Sequence, residues 1–286
     1  MQKYLLAAHI GGAHFSVCLF DIGGRKLVTQ TLRRIPVTYK AGSETIINVW
    51  KSTFYSLKIP ANEIRACAVS VPLALTNHSS LTDDVCYGRY VPLRHIDIGV
   101  FFANLTGLNV QNVRLYHIGS SFLKGQLSDS RLLKNRCLTA IHVGTDFSAA
   151  CIAPSEISSL NWEKWPFLNS CLNDYLSAQW LLQRYFQLTN ISVCNVNQLA
   201  ELYPHHPTVK MIFKEYFENM TCFLKRVGLN KKLHTIYVGG DLVEGFPRFI
   251  QQLATALLPA VTVPVKFATE KILTGTAELY FEDCLL

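Results

Sequence analysis

A hairpin that the chain carries twice most limits what it can fold into. Ala8-His9-Ile10-Gly11-Gly12-Ala13-His14-Phe15-Ser16-Val17-Cys18-Leu19 aligns with Ile141-His142-Val143-Gly144-Thr145-Asp146-Phe147-Ser148-Ala149-Ala150-Cys151-Ile152 once one turn residue is dropped. The copies share a histidine, a β-branched residue, a glycine and a Phe-Ser pair; further along, each has a cysteine followed by an aliphatic residue. Apolar runs broken by glycine mark strands joined by tight turns. Two such units built alike, one heading each half of the chain, are what a duplicated two-domain architecture leaves behind.

Beyond each hairpin the apolar spacing changes to that of helices. Over 43–57, Ile46, Ile47, Trp50, Phe54 and Leu57 line one helical face, with Ser43 as the expected cap. Residues 65–75 read as a buried strand turning at Pro72, 95–108 as a helix, 110–116 as a strand and 120–127 as a helix. The second half repeats the plan, with strands over 137–143 and 147–153 and helices over 172–188 and 207–227. A strand over 234–238 enters Gly239-Gly240, followed by a helix over 246–258, a strand over 261–266 and a closing helix over 275–281. This alternation requires a largely parallel central sheet, so the fold class is α/β.

Composition removes several function classes. Apolar residues fill 49% of the 286 positions and charged residues 16%, enough burial to offset the entropy of ordering, which excludes a disordered chain. No apolar run approaches the ~18–20 residues of a membrane span. The opening MQKYLLAAHIGG is cut by His9 and the glycines, unlike a secretory leader, so the expected location is cytoplasmic. The nine cysteines are scattered with no C-x-x-C pair, which suggests neither a disulfide framework nor a thiolate zinc site. The net charge of +7 is spread out, its densest groupings being Arg33-Arg34, Lys225-Arg226 and Lys231-Lys232. Nucleic-acid binding needs a concentrated phosphate-facing patch, so a solvated face is the better reading and no nucleic-acid partner is expected. Asp83-Asp84 and Glu282-Asp283 read as solvated surface, and Tyr87, Tyr90, Trp162 and Trp165 as cover for a core edge in preference to a sugar-stacking platform.

The chemistry is expected at the glycines. A glycine turn between strands lets backbone N–H groups approach an anion, because no Cβ blocks the way. Gly11-Gly12 and Gly144-Thr145, facing each other, could grip the phosphates of a nucleotide. Gly239-Gly240, between a strand and a helix, could flatten a surface for a base or ribose.

In order and spacing these motifs resemble the ROK family (repressors, uncharacterised reading frames and sugar kinases) of the actin/hexokinase-like ATPase superfamily. The family's first phosphate motif reads Asp-Ile-Gly-Gly-Thr-Lys; here it is His9-Ile10-Gly11-Gly12-Ala13-His14. Ser70-Val71-Pro72 resembles the family's Pro-Gly turn, and Tyr116-His117 the strand end that carries its Asn-Asp pair. Val143-Gly144-Thr145-Asp146 resembles the second phosphate motif, Cys171-Leu172-Asn173-Asp174 the close of the zinc loop, and Val238-Gly239-Gly240-Asp241 the adenosine motif. Leu273-Thr274-Gly275-Thr276-Ala277 resembles the final Gly-Ala helix. The resemblance implies an actin-like/hexokinase-like (ribonuclease H-like) two-domain fold with an interdomain cleft. One lobe would span 1–115 with 270–286 packing back onto it, and the other 116–269.

Where the sequence departs from the family, its catalytic letters are missing. The resemblance implies two carboxylates, one supporting Mg²⁺ and its waters and one taking the proton from the attacking sugar hydroxyl. Mg²⁺ prefers hard anionic oxygens, and a base must reach the hydroxyl. The first position is His9 and the second His117. Imidazole can still act as a base at His117 but is a poor support for Mg²⁺ at His9. Asp146, Ser148 and Ala150 stand where the family has glycines, and the Asp146 charge should repel phosphate. Only Cys171 matches a zinc ligand, so no structural zinc is expected. His9, His117 and His142, turned toward one cleft with His14 nearby, could together take Zn²⁺; each is better read as filling a position released from catalysis, and no metal is assigned. His205-His206, between Pro204 and Pro207, reads as inert surface.

The preferred functional reading is therefore a sugar-kinase-like protein with eroded motifs, a sugar- or nucleotide-binding or regulatory module without efficient phosphoryl transfer and with no required cofactor. Its site would comprise His9, His117, Gly11, Gly12, Gly144, Thr145, Gly239, Gly240, Tyr116 and Pro72. The alternative is an active ATP- and Mg²⁺-dependent sugar kinase drawing on Asp146 or Asp241. A family regulator lacking its DNA-binding domain is the third reading, since the chain starts at its first strand and leaves no room for a helix-turn-helix. The resemblance also makes a homodimer an expectation, with the apolar Trp180-Leu181-Leu182 and 213–217 as candidate faces; the lack of a long apolar run implies no membrane partner.

Overall fold

Strand residues buried on both faces read as continuous apolar runs, and the two repeated hairpins become the inner strands of two sheets for that reason. A computed structural model describes residues 2–37, 41–71, 92–93, 95–128, 137–153, 156–230 and 234–285. It divides into Met1–Ser130 with Thr269–Leu286, and Arg131–Ala268. The first unit holds β1 (Tyr4–Ile10), β2 (His14–Asp21), β3 (Lys26–Leu27), β4 (Arg33–Pro36), α1 (Ser43–Tyr55), β5 (Ile64–Val71), α2 (Ile98–Thr106), β6 (Val113–His117) and α3 (Ile118–Leu127). Among the described residues its sheet is six-stranded, in the order β3-β2-β1-β5-β6 with β4 also on β2. β1 is antiparallel to β2 and parallel to β5, which is parallel to β6.

The second unit holds β7 (Cys137–Val143), β8 (Phe147–Ala153), β9 (Glu156–Ser159), β10 (Pro166–Phe167), β11 (Ser170–Cys171), α4 (Asn173–Leu176), α5 (Ala178–Thr189), α6 (Val196–Leu202), α7 (Pro207–Arg226), β12 (His234–Gly239), α8 (Asp241–Gly245), α9 (Pro247–Ala256) and β13 (Val261–Val265). Its main sheet runs β13-β12-β7-β8-β9, again an antiparallel hairpin continued by parallel strands. α10 (Ala268–Leu285) returns the chain to the first unit.

In the first unit, alternation sorts the sheet's side chains into two cores. Leu6, Ala8, Val17, Val69, Val71 and Val113 face α1 and α2, around Trp50 and Phe102. Leu5, Ala7, Cys18, Phe20, Ala66 and Ala68 face Leu273, Ala277, Tyr280 and Phe281 of α10. α3 packs on β5 and β6 and so stays with the first unit, whereas the sequence reading put 116–127 in the second lobe. α3 and α10 touch at their main chains. A Cβ on Gly125 would fall 1.9 Å from the Lys271 carbonyl oxygen, and one on Gly275 1.8 Å from that of Ser121.

Local capping corrects three sequence-based boundaries. Gly42, extended at ψ 160°, is the N-cap of α1, and Ser43 is its first helical residue with no capping bond. The helix expected over 172–188 is two helices, because Ser177 turns extended (φ −84°, ψ 157°) and its hydroxyl accepts the Trp180 N–H at 3.3 Å. The helix expected over 95–108 starts only at Ile98, where the Asp97 carboxylate accepts the Val100 N–H at 2.9 Å. No helix among the described residues is long and apolar enough to cross a membrane.

Candidate functional site

The hairpin register decides which polar side chains of the first unit meet. His9 lies opposite Ser16 on β2 and beside Ser70 on β5; Ser16 lies opposite Arg34 on β4, and Ser70 beside Tyr116 on β6. Neighbouring strands are ~4.8 Å apart, and register partners share a face. Arg34, Ser16, His9, Ser70 and Tyr116 therefore form one polar row on the sheet face that packs on α10. His9, Ser16 and Ser70 are buried, Tyr116 is half-buried, and Arg34 is exposed. The Ser16 and Ser70 hydroxyls have no hydrogen-bond partner among the described residues. At the row's far end, burial first and then the Asp283 carboxylate push the Tyr116 phenol well above its ordinary value.

His14 bends over the glycine turn at the near end. Its ring lies where a Gly11 Cβ would come within 3.0 Å of Cε1 and 3.1 Å of Nε2, so only glycine leaves it room. The Gly11 N–H donates to the His14 carbonyl at 2.9 Å, closing the turn that also contains half-buried Gly12. The His9 and His14 rings meet edge to face at 5.4 Å, and the Arg34 Nη2 stands 3.4 Å from the His14 Nδ1. A guanidinium and two imidazoles thus gather at the first glycine turn.

His117 sits apart from His9. In β6 it shares the face of Val113 and Leu115, opposite to Tyr116, so the two-residue period puts it on the other side of the sheet from His9. This corrects the expectation that both would converge on one point. His117 is the N-cap of α3, and its Nδ1 accepts the Gly119 N–H at 3.1 Å. With Nδ1 as acceptor, the ring proton of the neutral imidazole is on Nε2.

In the second unit the repeat recurs at the level of register. His142 lies opposite Ser148 and beside Gly239. Its Cε1 would be 2.7 Å from a Cβ on Gly144, so an imidazole again covers a glycine turn. The Ser148 hydroxyl, like that of Ser16, is buried without a hydrogen-bond partner among the described residues. Beside half-buried Thr145, Asp146 is 4% exposed, and its carboxylate accepts the Asn173 side-chain N–H at 3.2 Å; the Asn173 oxygen accepts the Phe147 N–H at 2.8 Å. The carboxylate expected to repel phosphate is thus turned down onto α4. Gly240, with φ 108°, caps α8 where a Cβ would be 2.4 Å from the Val143 carbonyl oxygen.

The spacing of the repeat hid a usable signal. The histidine and the serine that both copies share are cross-strand partners in each hairpin. Ser70, Arg34 and Asn173 carried no such mark. Pro72, together with Asp83, Asp84, Tyr87 and Tyr90, lies outside the described residues.

The polar row does not fit the magnesium ion that the fold family implies. Mg²⁺ demands near-octahedral hard oxygen ligands, chiefly carboxylates and water. The row offers imidazole, hydroxyls and a guanidinium that repels a dication. Among the described residues, no group of three or more His, Cys, Asp or Glu side chains is placed to hold a metal ion.

A sheet opened by an antiparallel hairpin and continued by parallel strands, built twice in one α/β chain, defines the hexokinase-like (actin-like) fold. Solved structures agree. The ROK family glucokinase from Streptomyces griseus, in complex with glucose and AMPPNP, superposes with a TM-score of 0.74 over 96% of this chain and 98% of its own, at 12% identity. A ROK family protein from Streptococcus pneumoniae in complex with sucrose gives 0.70 over 98% of both chains at 13% identity. A ROK family transcriptional regulator, homolog of the E. coli MLC protein, gives 0.65 over 98% of this chain and 79% of its own at 11% identity. No family model and no curated protein matches the sequence itself. At these identities the likeness is one of fold: the chain has the fold of ROK-family sugar kinases and regulators.

Proposed function

We propose that this chain binds a sugar or a nucleotide on a sugar-kinase scaffold and does not transfer phosphoryl groups efficiently. The observation that carries the reading is the polar row of the first unit, where His9 is flanked by Ser16 and Ser70; the resemblance puts the family's Mg²⁺-supporting carboxylate at that position. Phosphoryl transfer is mostly positioning and charge neutralisation around the metal and the attacking hydroxyl. Three features of the chain count against it. His9 offers no anionic oxygen, and His117 has Nδ1 engaged in a helix cap and its proton on Nε2. The acid nearest the second turn, Asp146, is engaged with Asn173. The ligand class comes from the fold neighbours, which hold glucose, AMPPNP and sucrose. Within the first unit, Gly11 and Gly12 would approach a ligand through main chain, and within the second the same role would fall to Gly144, Thr145, Gly239 and Gly240.

Two measurements test this together. A thermal-shift screen against glucose, sucrose, ADP and AMPPNP should raise the melting temperature with at least one of them, because a ligand held only by the folded state stabilises it. Coupled ADP release with ATP, Mg²⁺ and a hexose panel should stay at background. Steady turnover with any hexose would overturn the reading.

A further inference from the structure

The segment between β9 and α5 stands where the resemblance to the ROK family puts a zinc loop, and its side chains do not fit that metal. Zinc takes four nitrogen or sulfur ligands in a tetrahedron. From 152 to 177 the chain has no histidine and a single cysteine, Cys171, whose thiol donates to the Asp174 carboxylate at 3.3 Å. We propose that an aromatic hub on Phe223 of α7 takes over the metal's structural task, and that it fixes the second glycine turn through Phe147 and Asn173. The proposal goes beyond the ligand-binding reading and does not depend on it.

Four rings meet Phe223 edge to face, with centroids at 5.2 Å (Trp162), 6.1 Å (Phe167), 6.3 Å (Trp165) and 6.5 Å (Phe147). Edge-to-face contact sets the positive rim of one ring against the negative face of another, so the hub is directional as well as apolar. Phe167 comes from the β10–β11 hairpin, where it pairs with Ser170 while the Leu172 N–H donates to the Trp165 carbonyl at 2.9 Å. Phe147 is the first residue of β8, directly after Asp146. The hub thus ties the hairpin to the strand that leaves the turn. Phe167 also lies 5.6 Å from the Tyr175 ring, which seats α4 against the hairpin. From there Asn173 accepts the Phe147 N–H at 2.8 Å and donates to Asp146 at 3.2 Å. Past α4, the Ala178 N–H donates to the Gly144 carbonyl at 2.8 Å. Residues 173 and 178 therefore grip the turn on both sides of Thr145. A turn held by zinc loosens when the metal is removed or its thiolates are oxidised; one held by rings is indifferent to both. Phe167, Phe223 and Asn173 are positioning residues.

Elemental analysis of the purified full chain and its melting temperature with and without EDTA test the metal half. The expected result is no stoichiometric zinc and a melting temperature that the chelator moves by less than about 1 °C. Amide hydrogen exchange at single residues tests the rest. Phe167→Leu, which removes the ring and keeps the hairpin apolar, should speed exchange at the Phe147 and Ala178 amides about tenfold or more, with the Ile236 amide of β12 within about threefold of the unaltered chain. Asn173→Ala should release the Phe147 amide and leave Ala178 protected. Zinc bound one to one, with EDTA lowering the melting temperature, overturns the proposal. Unchanged protection at Phe147 and Ala178 in Phe167→Leu does the same, as does a loss that Ile236 shares equally, which would make Phe167 an ordinary core residue. Where Phe167→Leu fails to fold, Asn173→Ala decides: an unchanged Phe147 amide there overturns the proposal too.

Discussion

With its Nδ1 accepting the Gly119 N–H at 3.1 Å, His117 commits one ring nitrogen to the start of α3 and keeps its proton on the other. The Gly119 N–H is buried and would otherwise be an orphan of the helix start. His117→Ala should therefore cost about 1 kcal/mol, the usual loss of an N-cap, while His117→Asn or His117→Asp, whose oxygens can accept the same N–H, should restore most of it. Urea unfolding of the three variants measures this, and ligand-induced thermal shifts should be the same in all of them. A collapse of the shifts in His117→Ala at unchanged stability would make His117 a binding residue instead of a cap. The sequence alone could place His117 at the end of a strand. It could not say whether the imidazole faces a ligand or its own helix, since that depends on the φ and ψ of the residue (−68° and 136°) and on where the next turn begins.

At the scale of elements, glycine marked the hairpins because a turn needs it locally, yet it said nothing about which helices would cross. Gly125 and Gly275 lie far apart in the chain, and only the fold shows why neither has a side chain: α3 and α10 meet main chain to main chain there. The crossing also explains why 118–127 stays with the first unit, a boundary that apolar periodicity does not carry. Periodicity likewise joined 172–188 into one helix, because Leu172, Leu176, Trp180 and Leu181 keep a helical stripe across the break at Ser177. The hairpins, α7 and the succession of strands and helices along the chain were legible, since each rests on a local pattern. The polar row was not, because a serine or arginine in a strand acquires a neighbour only through register. Gly275→Ala would drive a methyl into the Ser121 carbonyl, so it should destabilise by about 3 kcal/mol. Gly42→Ala, where nothing lies within 4 Å, should cost no more than about 1 kcal/mol. Guanidinium titrations of both variants check the contrast; equal, small losses would mean that the two helices can separate at little cost.

Over the whole molecule, each unit keeps protons that an unfolded chain would release. In the first, burial pushes the Cys67 thiol up, and burial together with the Asp283 carboxylate pushes the Tyr116 phenol up. In the second, the fully buried Tyr216 hydroxyl donates to the Leu176 carbonyl at 2.7 Å, and burial holds its phenol well above the ordinary 10.0. Folded values raised above unfolded ones mean that stability is complete below about pH 9 and is lost as the pH climbs past the unfolded thiol and phenol values. Each such group then subtracts up to about 1.4 kcal/mol per pH unit, so by pH 11 the three together remove on the order of 5 kcal/mol, a large share of an ordinary chain's stability. The urea midpoint should accordingly hold steady to about pH 9 and fall steeply above it. Tyr216→Phe loses the bond to Leu176, about 1 kcal/mol at pH 8, but should show a shallower alkaline decline than the unaltered protein. A phenolate signal that Tyr216→Phe removes, appearing in the unaltered protein well before the ellipticity falls, would place Tyr216 within reach of solvent and remove its linkage.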